Sequence, residues 1–70
     1  MLPLTMANIG EEYVIRRIGG NAEIKRHLES LGFTVGGKVT VVTSLSGNVI
    51  VDIKGSRVAI GKDMATKIMI

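Results

Sequence analysis

Hydrophobic and polar residues alternate with a period of two between Tyr13 and Ile18. Val14 and Ile18 face one way and Tyr13 and Ile15 the other, the spacing of a β-strand. Gly19-Gly20 ends that pattern, and the period changes to about 3.6 residues. Asn21 is placed to cap a helix, and Ile24, Leu28 and Leu31 fall on one stripe. Lys25, Arg26, Glu29 and Ser30 occupy the opposite side, with Lys25 and Glu29 spaced as an i,i+4 ion pair. Gly32 stands where a left-handed residue stops a helix, and Phe33 where the next side chain folds back onto Leu28.

After Thr34-Val35-Gly36-Gly37 the period returns to two. Val39, Val41 and Thr43 alternate with Lys38, Thr40 and Val42, and Val49, Val51 and Ile53 alternate with Ile50, Asp52 and Lys54. Placing both apolar sets on one face pairs Val39 with Ile53, Val41 with Val51 and Thr43 with Val49. That register leaves a three-residue loop, Leu45-Ser46-Gly47, with glycine at the position that needs a left-handed backbone. It also puts Val42 opposite Ile50 on the outer face. Gly55-Ser56 leads into a further strand, Arg57 to Ile60. Gly61 to Thr66 predicts a turn or one helical turn, and Lys67 to Ile70 a last strand. The glycines fall between these segments as punctuation. The prediction is a mostly β fold of about five short antiparallel strands with one inserted amphipathic helix. A small barrel is the closure that leaves fewest exposed edges.

Composition agrees with this pattern. Seventy residues, 46% of them hydrophobic, suffice for one small core and leave little chain for a deep catalytic cleft. The apolar residues are mostly aliphatic and β-branched, with one Phe, one Tyr and no Trp. Cysteine is absent, which excludes disulfide staples and thiolate metal sites and predicts a reducing, cytoplasmic setting. No apolar run approaches the ~18 residues of a membrane span. Met1-Leu2-Pro3-Leu4-Thr5 has no charged segment followed by an apolar stretch, so no signal peptide is predicted. The formal charge of +3 is spread among interleaved acids and bases and marks no nucleic-acid footprint.

Those residues resemble the FeoA family. The likeness runs through Pro3-Leu4-Thr5, Gly10 and Leu28…Leu31-Gly32-Phe33…Gly36…Val39. It continues in Val51-Asp52-Ile53-Lys54-Gly55, Val58-Ala59-Ile60-Gly61 and Ala65-Thr66-Lys67-Ile68. Val35 stands where the family's loop often carries proline. The resemblance implies a single SH3-like domain over residues 1–70, a cytoplasmic location and a role in bacterial ferrous iron uptake, with the family-level link to transition metals. The partner it implies is the cytoplasmic portion of the FeoB transporter, which carries a G-protein-like domain. Other readings of the same barrel are a small basic nucleic-acid binder and a stand-alone relative of the regulatory domain of iron-dependent repressors.

Candidate chemistry is sparse. Metal sites want several converging ligands, and His27 is the lone histidine, with Glu23 one helical turn away. Ser30, Ser44, Ser46 and Ser56 fall at a helix end or in turns, and no histidine and carboxylate are arranged to activate them. No Gly-rich loop followed by Lys-Ser or Lys-Thr is present. No cofactor, metal ligand or catalytic residue is assigned, and no enzymatic activity is predicted. Met64 reads as a core filler. Tyr13 and Phe33 are too few to line a groove for proline-rich peptides or to stack bases. The outward apolar residues Val42, Leu45 and Ile50 remain; they are either covered by the helix or form a partner-binding patch. Ile68-Met69-Ile70 either closes the barrel or pairs with another copy.

Overall fold

A computed structural model describes every residue, Met1–Ile70. A 3-10 turn, Leu4–Met6, is followed by β1 (Glu12–Val14), β2 (Arg17–Ile18), α1 (Ala22–Ser30), β3 (Lys38–Leu45), β4 (Asn48–Ile53), β5 (Ser56–Gly61), α2 (Lys62–Ala65) and β6 (Ile68–Met69). The predicted alternation places Val39, Val41, Val49, Val51, Ile53 and Ile60 on one face of a four-stranded antiparallel sheet ordered β1-β3-β4-β5. Leu4, Ile15, Ile18, Leu28, Phe33, Ala65, Ile68 and Ile70 complete a single aliphatic core against that face. Met64 packs against it half-buried, the core-filling role read from the sequence.

The first predicted strand is two strands. β1 pairs with β3, whereas β2 pairs with β6 in a second, two-stranded sheet. Between them the Ile15 N–H donates to the Gly37 carbonyl at 2.8 Å and the Arg16 N–H to the Met69 carbonyl at 2.8 Å. The chain therefore changes partner at Ile15-Arg16, and the bend resets the alternation. Ile15 and Ile18 both point inward, while Val14, expected to share a face with Ile18, is exposed.

β6 is used on both sides. β2 flanks one edge, and residues 2–3 flank the other through the Pro3–Met69 bridge and reciprocal Leu2–Ile70 bonds of 2.9 and 2.7 Å. The apolar end thus closes the barrel and offers no free edge to another copy.

α1 begins and ends as its sequence requires. The Asn21 side chain accepts from the Ile24 N–H at 2.9 Å. Gly32 has φ +105°, a left-handed conformation that costs glycine nothing and strains any other residue. The Phe33 N–H donates to the Leu28 carbonyl at 3.0 Å and the Gly32 N–H to the Glu29 carbonyl at 2.9 Å, the bond pair of a Schellman stop. Leu28 and Phe33 are fully buried, whereas Ile24 and Leu31 lie half-buried on the flanks. Lys25 and Glu29 form no ion pair; the two salt bridges are Lys38–Glu12 and Arg57–Asp52. Both α1 residues are exposed, and solvation leaves little to hold them together.

The β3–β4 hairpin follows the expected register only for its first half. Val39 opposes Ile53 and Val41 opposes Val51, but beyond a bulge Thr43 opposes Ile50 and Ser44 opposes Val49. Leu45 pairs with Asn48 inside the ladder, so the loop is the two residues Ser46-Gly47, with Gly47 at φ +77°. Val42 is the extra residue of the bulge rather than the direct partner of Ile50.

The β4–β5 turn, Lys54-Gly55, has positive φ at both residues, +49° and +76°, as a type I′ hairpin turn demands. Lys54 is the sole non-glycine residue with positive φ. Lys54→Asn is expected to stabilise the protein by roughly 1 kcal/mol, because asparagine tolerates this region far better than lysine. A higher urea midpoint with unchanged slope is the expected reading, and an unchanged midpoint contradicts it.

Candidate functional site

The sheet face opposite the core carries the candidate residues. Val49 and Ile60 oppose each other and are both buried, so their strand neighbours Asn48, Ile50 and Ala59 lie on the outer face. Alternation forward from Val41 puts Val42 on that face, and alternation back from Leu45 puts Thr43 there too. The bulge therefore sets two adjacent side chains against Ile50. Val42 and Ile50 are half-buried, and Leu45 is 59% exposed. Ala59, directly opposite Ile50, extends the same face. It was not among the sequence candidates, although the Val58–Ile60 alternation of β5 contains the signal.

Two ion pairs border this surface. Arg57 donates to Asp52 through Nε at 3.0 Å and through Nη2 at 3.4 Å, across directly opposed residues of β5 and β4. Its guanidinium is held further into the charged form by these hydrogen bonds and by the carboxylate's charge. Lys38 lies 4.0 Å from Glu12 on the other side. The face is thus apolar at its centre and charge-neutral at its rim.

α1 does not cover it. Leu28 enters the core cluster with Val51 and Ile53, and a side chain at Gly32 would touch Ile53 and Lys54. The helix sits on the core side and at the Ile53 end of the sheet. Of the two fates open to Val42, Leu45 and Ile50, burial under the helix is the one the fold does not take.

The remaining candidates disperse. Glu23 and His27 line an open depression of about 550 Å3 with Asn21, Ile24 and Met64, and no third carboxylate or histidine joins them. The Ser30 hydroxyl donates to the His27 backbone carbonyl at 2.6 Å, not to an imidazole. Of the serines expected in turns only Ser46 lies in one; Ser44 is inside β3 and Ser56 begins β5. Phe33 is fully buried.

Tyr13 holds a turn. Its hydroxyl accepts from the Asn8 N–H and donates to Glu11, each at 3.0 Å, while the Asn8 amide also donates to Glu11 at 3.0 Å. The Asn8 amide, and next the Tyr13 hydroxyl, hold the Glu11 carboxyl below the usual carboxylate range. A folded value below the unfolded one adds stability above the ordinary carboxylate pKa and loses it as pH falls through the lowered value. Carboxyl titration by NMR is expected to place Glu11 below the usual carboxylate range. Asn8→Ala is expected to raise it back towards that range, and no change in that variant contradicts the assignment.

The profile of the FeoA domain family matches residues 2–70. A Methanocaldococcus jannaschii protein, whose name assigns it to Fe(2+) transport, is 39% identical over the whole chain and 85% of its own length. The chain belongs to the FeoA family. A crystal structure of an iron uptake regulatory protein, FeoA, superposes with a TM-score of 0.90 at 32% identity, covering 97% of this chain and 90% of that one. The zinc complex of Stenotrophomonas maltophilia FeoA, described as an SH3 domain protein, gives 0.82 at 23% identity over 99% and 88% of the two chains. A manganese-dependent transcriptional repressor gives 0.85 at 22% identity over 94% of this chain and 38% of its own. At those lower identities the likeness is one of fold, and the fold is the SH3-like barrel that the resemblance implied. No helix is long and apolar enough to cross a membrane.

Proposed function

We propose that this FeoA-family chain is a cytoplasmic accessory protein of ferrous iron uptake. It docks on the cytoplasmic portion of the FeoB transporter and tunes that protein's activity or assembly. The observation that carries the reading is the apolar outer face of the β3–β4 hairpin: Val42, Leu45 and Ile50 stand on the sheet face opposite the core, while Leu28 of α1 packs on the core side. Apolar side chains with a neutral, charge-paired rim are the composition of a protein-docking patch.

Two relatives support the iron-uptake setting. One is named for Fe(2+) transport, and the Stenotrophomonas maltophilia protein is described as a candidate activating factor for bacterial ferrous iron transport. In this reading the barrel itself performs no chemistry. Its work is to present a rigid surface, since Val42 is fixed by the bulge and Ile50 by pairing on both sides.

Co-purification with the soluble cytoplasmic portion of FeoB tests the partner. Stable recovery of the pair is expected. Failure to associate in any nucleotide state of that portion contradicts the proposal.

A further inference from the structure

β5 is an edge strand with an open side. It pairs with β4 alone, in a register unbroken from Ile53–Ser56 to Asn48–Gly61. The ladder's phase is fixed at both ends. The two-residue turn makes Ile53 and Ser56 a hydrogen-bonded pair, and the Lys62 N–H donates to the Gly47 carbonyl at 3.1 Å in the same phase. Even-numbered residues of β5 therefore bond to β4. Arg57, Ala59 and Gly61 turn their N–H groups outward, and none of those amides donates to the loops or termini.

Folded proteins blunt such edges with proline, bulges or several charges. This edge has neither proline nor bulge, and its one charge, Arg57, is tied to Asp52 on the sheet's own face. The chain also leaves the edge cleanly: at Lys62 it turns towards Gly47, on the β4 side.

We infer that the β5 edge is a strand-addition site whose occupant is a second copy of this chain, paired antiparallel about Ala59. Self-pairing is complementary at every position. Ala59 meets Ala59 of the second copy, small against small, and the two exchange N–H to C=O bonds. Arg57 meets Gly61 of the second copy, which offers room and no charge. The two arginines then lie about 13 Å apart along the strands, beyond the screening length at physiological salt. Val58, half-buried in one chain, gains Ile60 of the other beside it. The product is a continuous sheet that brings both outer faces onto one side.

The test uses the whole chain without any partner. Sedimentation over a concentration series into the millimolar range is expected to show a monomer–dimer equilibrium. Amide exchange is expected to slow with concentration at Arg57, Ala59 and Gly61 and to stay constant at Val58 and Ile60, already bonded to β4. Ala59→Lys places like charges directly opposite and is expected to abolish association, as is Ala59→Glu; mixing the two variants is expected to restore it. A monomer at every concentration overturns the inference. So does concentration-independent exchange at the odd-numbered amides, which needs no variant to fold, and so does a dimer indifferent to Ala59→Lys.

Discussion

Phe33→Ala is expected to leave a large share of the molecules unfolded at room temperature. Phe33 is the largest fully buried side chain, and it does two jobs at once. Its N–H completes the stop of α1, and its ring is fully buried in the core cluster that Leu28 and the sheet residues form. Removing a buried phenylalanine costs about 3–5 kcal/mol, because lost burial and an unfilled cavity add. A chain of this length has a total stability of roughly 4–10 kcal/mol, so the loss is comparable to the whole. Urea unfolding followed by circular dichroism measures the effect, with Phe33→Leu as a milder companion. A loss below about 1 kcal/mol contradicts the packing role assigned to the ring.

Ile68→Ala is the second large effect, an expected loss of about 2–5 kcal/mol. Ile68 is fully buried and opposes Ile18, itself 8% exposed, across the β2–β6 pair. β6 is the seam of the barrel. The Arg16 and Gly19 N–H groups donate to the Met69 and Lys67 carbonyls from one side, and the Leu2 N–H to the Ile70 carbonyl from the other. Weakening Ile68 releases segments distant in sequence, so faster amide exchange is expected first at Arg16, Gly19 and Leu2, ahead of the β3–β4 amides. Thermal unfolding within a degree of the parent, with those three amides unchanged, contradicts the seam.

Where structure follows from neighbours in sequence, it was legible. Asn21, the Ile24–Leu28–Leu31 stripe and Gly32-Phe33 specify α1 almost without reference to the rest of the chain. The pairing of Val39 and Val41 with Ile53 and Val51 was equally readable, because a one-residue slip there would expose the whole apolar set. The misreadings have non-local causes. The break at Ile15-Arg16 depends on carbonyls at Gly37 and Met69, which no local pattern around Ile15 announces. The bulge at Val42 lies beside Val41, whose carbonyl accepts from the Gly10 N–H at 2.8 Å, a contact from outside the hairpin. The adjacent apolar pair Val41-Val42 was its only trace.

The residues proposed for docking split the same way. Outward placement of Val42 and Ile50 follows from alternation, whereas Leu45, expected in the turn, ends the β3 ladder opposite Asn48. Whether α1 would lie over them was a tertiary question, and the answer comes from Leu28 choosing the core face instead.

Affinity for the cytoplasmic portion of FeoB, compared between the parent chain and the Val42→Lys, Leu45→Lys double variant, tests that surface most directly. Both positions face outward, so an unchanged urea midpoint is expected. A lysine in the centre of a docking patch leaves a desolvated charge, and binding at least about tenfold weaker is the predicted result. Equal affinity in a folded double variant, or loss of folding, contradicts the account.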